Sequence, residues 1–162
     1  MPRSARSWVA ALKDVIVLFW ASWFTVVFLS NAADGLKALG VVGEGWAFAS
    51  GNWLFLLATT KIYGLPTLLV AALFAAVIAW EGICAALMWR ALLSPGGGGP
   101  HQRNSPGTAP AFVLAIGLFG AFALADEIFI AYPVEATHLR IFTALLASLL
   151  VLWLLPDAGP AR

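Results

Sequence analysis

Residues 125–140 read Ala-Asp-Glu-Ile-Phe-Ile-Ala-Tyr-Pro-Val-Glu-Ala-Thr-His-Leu-Arg, and this stretch joins two long apolar segments. It holds three of the eight acidic residues of the chain and one of its two histidines. If both segments are membrane helices that turn at Tyr132-Pro133-Val134, an antiparallel hairpin places Glu127 and Arg140 at the same depth. Neither charge is tolerated alone below the membrane surface. We therefore predict that Glu127 and Arg140 form an ion pair.

The composition places the chain in a membrane. Of its 162 residues, 62% are hydrophobic and 10% are charged, whereas soluble domains are about 45–50% apolar and about 25% charged. The net charge of +1 comes from scattered basic residues, so a nucleic-acid partner is not expected. The single cysteine, Cys84, lies in an apolar segment and provides no disulfide framework.

Four apolar segments approach the ~20 residues that a helix needs to cross the hydrocarbon core. The predicted helices cover about residues 9–30, 66–90, 111–132 and 137–155. We interpret the first as an uncleaved helix, because Trp20 and Trp23 are bulky for a signal peptide. Asn31 and Asp34 are expected to mark its exit from the membrane. The predicted fold is an all-α integral membrane four-helix bundle, with residues 1–162 forming one domain.

The two long connections between the predicted helices differ in composition. The external connection, residues 31–64, contains a predicted helix at about 52–63, capped by Ser50 or Asn52 and stopped near Pro66. That helix is too short to span, and its aromatic residues are typical of the headgroup region, so we predict that it lies in the interface. Residues 94–110 are rich in glycine and proline and predict a flexible linker.

The basic residues orient the bundle. Cytoplasmic loops carry an excess of lysine and arginine, and four spans divide these residues six to three. This distribution predicts that both termini lie in the cytoplasm. The larger group is Arg3, Arg6, Lys13, Arg90, Arg103 and Arg162, and the smaller is Lys37, Lys61 and Arg140.

Glu81 and Asp126 are further acidic residues within the predicted spans. No base matches the depth of Glu81, so we expect its carboxyl to be protonated and hydrogen-bonded, with Ser22 or Thr25 as candidate partners. Glu81 is then either a polar clasp between helices or a carboxylate that carries protons or cations. Asp126 points ~100° away from Glu127 on the helix and is expected to reach polar atoms of the external connection.

Small residues recur on the predicted helices at helical spacing, which lets another backbone approach closely. We expect the third and fourth helices to meet through two such faces, one carrying Glu127 and the other Arg140. The small-residue sets are Ala75, Ala79, Gly82 and Ala86; Gly120 and Ala123; and Ala144, Ala147 and Val151.

Histidine chemistry is limited. Glu135 and His138 have the Glu-x-x-His spacing of di-iron bundles, but those sites need two such motifs and two further carboxylates. No metal site, catalytic set or cofactor is therefore expected. A single haem or pigment ligand at His138 is the alternative left open.

Several short patterns resemble those of a bacterial family of small integral membrane proteins of unknown function. The resemblance implies four helices and a long first external connection, and it implies no mechanism. The patterns are Asn31-Ala-Ala-Asp34, the stretch Trp46–Trp53, Ile78-Ala-Trp-Glu81, Glu127-Ile-Phe129, Arg140 with Phe142, and Asp157.

Together with this resemblance, these features favour a non-enzymatic accessory or scaffolding subunit that packs against a larger protein complex of the bacterial inner membrane. Its expected partners are the lipid bilayer and either other membrane subunits or further copies of the chain. The alternative is a small ion- or proton-coupled transporter that uses Glu81 and the Glu127/Arg140 pair. The polar residues that either function would draw on are Glu81, Asp126, Glu127, His138 and Arg140.

Overall fold

The structure, a computed structural model, describes residues 3–93 and 108–156. Its helices are α1 (Arg3–Ala38), α2 (Asn52–Thr60), α3 (Thr67–Leu93), α4 (Thr108–Ile128) and α5 (Tyr132–Leu154), and a short 3-10 helix, Lys61–Tyr63, follows α2. Four of them, α1, α3, α4 and α5, are long and apolar enough to cross a membrane. The predicted all-α four-helix bundle is confirmed, and the chain has the architecture of a multi-pass membrane protein. Most of the predicted 94–110 linker lies outside the described residues, and its last three residues begin α4.

The bundle is built from antiparallel neighbours. α1 packs mainly against α3, α4 packs mainly against α5, and α3 joins the two pairs through α4. Residues 39–66, here called the cap, connect α1 to α3, and the α4–α5 turn lies at the same end of the bundle. The largest apolar side chains that are completely buried are Phe24, Phe112, Met88 and Leu118.

Three tryptophan indoles hold the helices together where hydrophobic packing discriminates little between protein and lipid. Each indole N–H donates to an oxygen on another helix, so the three bonds link all four spans. The bonds run from Trp20 to Ser148 Oγ at 2.9 Å, from Trp80 to the Leu114 carbonyl at 3.1 Å, and from Trp89 to Thr25 Oγ1 at 2.9 Å.

The first helix does not end where the polar residues begin. Asn31 and Asp34 were predicted to mark its exit, but α1 continues to Ala38. Both side chains are buried, because their i, i+3 spacing turns them to one face of the helix. The helix ends at Ala38, and Gly40 follows with a left-handed φ of 69°, as is common just after the end of a helix.

The α4–α5 turn also lies elsewhere than predicted. Tyr132 and Pro133 open α5, because proline is favoured in the first turn of a helix. The chain reverses at Phe129–Ala131, where Ile130 adopts a left-handed φ of 58°. The Ala131 N–H closes the end of α4 by donating to the Asp126 carbonyl at 2.7 Å. The turn therefore comes about three residues earlier, which changes the residues that face each other across the hairpin.

The predicted match of two small-residue faces is wrong. Gly120 does lie against α5, where an added Cβ would stand 3.4 Å from the Phe142 ring. However, Ala144, Ala147 and Val151 are exposed, and α5 packs through Leu145 and Leu152 instead. On α3, Gly82 accommodates the Phe28 ring, while Ala75, Ala79 and Ala86 face outward.

After the end of α1, the cap runs back along α1 before the chain enters α3. Lys37 Nζ donates to the Trp46 carbonyl at 3.3 Å, and the Ser50 N–H donates to the Ser30 carbonyl at 3.2 Å. Residues 46–50 therefore run antiparallel to α1 and descend about 10 Å along it, at 1.5 Å per helical residue. α2 starts at the bottom of this descent, on the segment predicted to form a short helix.

Candidate functional site

Glu81 meets α1 at a residue that the sequence analysis did not propose as its partner. The Asn31 amide donates to both carboxyl oxygens at 2.8 Å, and both residues are 2% exposed. The expected partners, Ser22 and Thr25, are not used: Ser22 faces outward, and Thr25 donates to the Ala21 carbonyl. The amide therefore supplies the hydrogen-bond donors that a buried carboxyl requires.

Asn31 also connects Glu81 to the cap. Its side-chain oxygen accepts a hydrogen bond from the Asn52 amide at 2.8 Å, and Asn52 is the first residue of α2. Both polar ends of Asn31 are therefore engaged, one by α3 and the other by the cap. This chain of three side chains places the start of α2 at the depth of the α1–α3 contact.

Asp34 caps α2 from a different helix. Gly51, at the N-cap position, has no side chain to satisfy the free N–H groups of the first turn. Asp34 Oδ2 instead accepts from the Trp53 N–H at 2.7 Å and from Ser50 Oγ at 3.2 Å. A carboxylate at a helix N-terminus is also favoured by the helix dipole, so Asp34 fixes α2 in place.

Across the bundle, Asp126 binds His138. The distance from Asp126 Oδ2 to His138 Nδ1 is 2.6 Å, and this contact joins the last turns of α4 to the first turns of α5. Asp126 was expected to reach the external connection, but it is buried against its own hairpin. The earlier position of the turn is the reason, because it places residue 138 level with residue 126.

The His138 ring lies on aromatic side chains of α4. Its centroid is 5.0 Å from that of Phe122 and 6.1 Å from that of Phe119. The Asp126 carboxylate contacts Nδ1 and fixes the orientation of the His138 ring. Histidines that ligate a metal through their other ring nitrogen are often held in the same way. Binding of a haem or pigment by His138 stays a prediction.

The predicted Glu127–Arg140 ion pair does not form. Both side chains are exposed, and the salt bridges among the described residues do not join them. Glu127 lies ~100° around the helix from the inward-facing Asp126, so it points away from α5. The hairpin is held by the Asp126–His138 contact in place of the predicted pair.

The cap reaches the α4–α5 hairpin as well. Tyr63 donates its hydroxyl to the Ile128 carbonyl at 2.7 Å, which satisfies one of the free carbonyls at the end of α4. The Tyr63 ring also stands edge-on to Phe129, with centroids 5.6 Å apart. The cap therefore binds both helix pairs of the bundle.

Of the five polar residues singled out from the sequence, Asp126 and His138 come together, and Glu81 is buried elsewhere with Asn31. The residues that sequence reasoning missed as partners are Asn31, Asn52 and Ser50. One signal was present: Asn31 and Asp34 lie three residues apart beyond an apolar run, the spacing of one helix face. Chemically, the arrangement satisfies buried polar groups across helices.

We expect Asn31→Leu to destabilise the protein, because it leaves the buried Glu81 carboxyl without its donor, at a cost of about 1–3 kcal/mol. Thermal unfolding of the purified chain in detergent measures the change. Because two apolar groups need no hydrogen bonds, Asn31→Leu combined with Glu81→Leu is expected to recover part of the loss. Additive effects of the two substitutions would show that the residues do not act together.

A second expectation compares the pair that forms with the pair that does not. Asp126→Ala and His138→Ala should each lower stability, with a coupling energy of about 0.6–1.7 kcal/mol, the range for polar contacts between membrane helices. Glu127→Ala and Arg140→Ala serve as matched controls, with changes within about 0.5 kcal/mol and no coupling. A double-mutant cycle on unfolding distinguishes them, and coupling between residues 127 and 140 would contradict the observed hairpin register.

Comparison with models of known protein families, with curated proteins and with solved structures finds no match to this chain. The resemblance to a family of small bacterial membrane proteins therefore stays a prediction.

Proposed function

We propose that the chain is a non-catalytic accessory or scaffolding subunit that packs against a larger protein complex in a bacterial inner membrane. The observation that carries this proposal is the outward surface of α5. In its apolar window only 11% of residues are buried, against 28–33% in the other three spans. A helix with so few buried residues has most of its surface free to contact another protein.

The residues on the outer side of α5 suit a protein partner. Ala144 and Ala147 are small and exposed, which lets a second helix approach closely. Arg140 is exposed near them, about 12 Å along α5 from its first residue at 1.5 Å per residue. A charge at that depth is costly when it faces lipid, and an acidic or carbonyl-rich partner would lower that cost.

The interior supports the same proposal. Glu81 and Asp126 each have a hydrogen-bond partner on a neighbouring helix, so both serve to hold the bundle together. Their burial is what a structural role requires, since an unpaired polar group in the membrane is expensive.

The proposed orientation has both termini in the cytoplasm and the cap outside, from the six-to-three division of basic residues. A topology reporter inserted at Glu44 is expected to give an external signal. The same kind of reporter fused after Pro156 is expected to give a cytoplasmic signal. A cytoplasmic signal at residue 44 would reverse the orientation.

To test the subunit proposal, a tagged chain is extracted in a mild detergent and its associated proteins are identified and quantified. We expect a partner in fixed stoichiometry. Ala144→Leu with Ala147→Leu should release it, because the added side chains hold the partner helix away. Ala121→Leu, at an exposed alanine of α4, is the matched control and should retain the partner.

Other results have defined meanings. Recovery of further copies of the same chain, lost in the α5 variant, would make the partner a homo-oligomer. A wild-type chain that purifies alone as a monomer would contradict the subunit proposal.

The alternative, a small ion- or proton-coupled transporter, draws on one observation: the descending cap links Asn52 through Asn31 to Glu81. The Glu127/Arg140 pair no longer supports the transporter alternative, because the two residues do not form an ion pair. That alternative would be favoured by a chain that purifies alone and dissipates a pH gradient in sealed vesicles, provided that Glu81→Gln abolishes the flux.

A further inference from the structure

A cavity of about 380 Å³ lies in the cap, between the last turns of α1 and the segment that descends along it. Its volume falls within the range of small-molecule sites, about 300–1,000 Å³. The side chains that give it chemical character are Asp34, Lys37, Glu44, Trp46, Trp53 and Leu54.

One wall of the cavity carries a buried carboxylate with spare acceptor capacity. Asp34 is 7% exposed, and its Oδ2 accepts both of its hydrogen bonds, from Trp53 and Ser50. Within the described part of the chain, Oδ1 has no donor and no cation contacts the residue. A buried carboxylate gains from a cationic partner, so this wall favours a ligand with a positive group.

The other charged side chains give the cavity both negative and positive groups. Glu44 adds a second carboxylate, and Lys37 adds an ammonium whose described contact is the Trp46 carbonyl at 3.3 Å. The three side chains have formal charges of −1, −1 and +1, a net charge of −1. A molecule with a cationic and an anionic group on a short spacer matches this pattern.

Aromatic and apolar side chains complete the site. The electron-rich faces of Trp46 and Trp53 attract ammonium groups, and tryptophan is common where protein meets lipid head groups. Leu54 is 70% exposed and Trp46 is 53% exposed, so the rim of the cavity is apolar. Hydrocarbon chains attached to a bound polar group could continue along this rim.

We propose that the cap cavity binds the head group of a zwitterionic phospholipid, with its ammonium at Asp34 and Glu44 and its phosphate at Lys37. A divalent cation fits less well, because the cavity offers two carboxylates and Ca²⁺ takes 6–8 oxygen ligands. This lipid site is independent of the proposed subunit role, since it involves the cap and not the outer face of α5.

The test uses the full chain in nanodiscs of equimolar phosphatidylethanolamine and phosphatidylglycerol, with the retained lipids counted by native mass spectrometry. The wild type is expected to retain phosphatidylethanolamine about threefold over phosphatidylglycerol, the scale of one partly exposed ion pair. Asp34→Asn keeps the oxygen that caps α2, and together with Glu44→Gln it should remove the preference. Glu44→Lys, which makes the net charge +1, should reverse it.

Lys61→Gln is the control, because it removes an exposed charge of the cap outside the cavity and should leave the lipid ratio unchanged. Equal retention of both lipids by the wild type, or a preference that survives Asp34→Asn with Glu44→Gln, would overturn the proposal. Binding of glycerophosphoethanolamine by a chain that retains neither phospholipid would also overturn it, since the ligand would then be a soluble amine phosphate.

Discussion

The hydrogen bonds between Asn31 and Glu81 determine how the cap end of the bundle is built. The Glu81 carboxyl is buried, so it needs hydrogen-bond donors from within the protein. Asn31 provides them and still has an oxygen to satisfy, which accepts from Asn52. That requirement draws the start of α2 about 10 Å down along α1 and brings its free N–H groups to Asp34. This contact acts together with the Ser50–Ser30 backbone hydrogen bond and with Asp34, which caps α2, to set the position of the cap and its cavity.

Polar side chains also find partners on neighbouring helices elsewhere in the molecule. Between membrane helices, apolar contacts favour association only weakly over contact with lipid, so specificity comes from close packing and from polar groups that find partners. The α4–α5 hairpin uses Asp126 with His138, and three tryptophan indoles donate to oxygens on neighbouring helices. These interior polar groups hold helices together, whereas two surfaces of the described residues carry features that another molecule could recognise: the outer face of α5 and the cap.

These two surfaces differ in what they can recognise. The outer face of α5 includes the small side chains of Ala144 and Ala147 near Arg140, which lets the backbone of another helix approach closely. The cap cavity combines two carboxylates, a lysine and two tryptophans at the rim of the bundle, which suits a small molecule with both charges. A subunit embedded in a larger complex would use the first surface for assembly, and the lipid around it could occupy the second.

The sequence by itself determined the class of protein, the four spanning helices and the short helix at residues 52–63. Hydropathy, segment length and the glycine and proline stops suffice for these features, because a helix must be long and apolar enough to cross the bilayer. Only the tertiary structure decided which side chains meet. One residue turns a helix by ~100°, so Asp126 faces His138 while Glu127 points outward, and a turn three residues earlier replaced the predicted pair. Likewise, Asn31 was assigned to an exit from the membrane, since its partners Glu81 and Asn52 are distant in sequence and become neighbours only in the folded bundle.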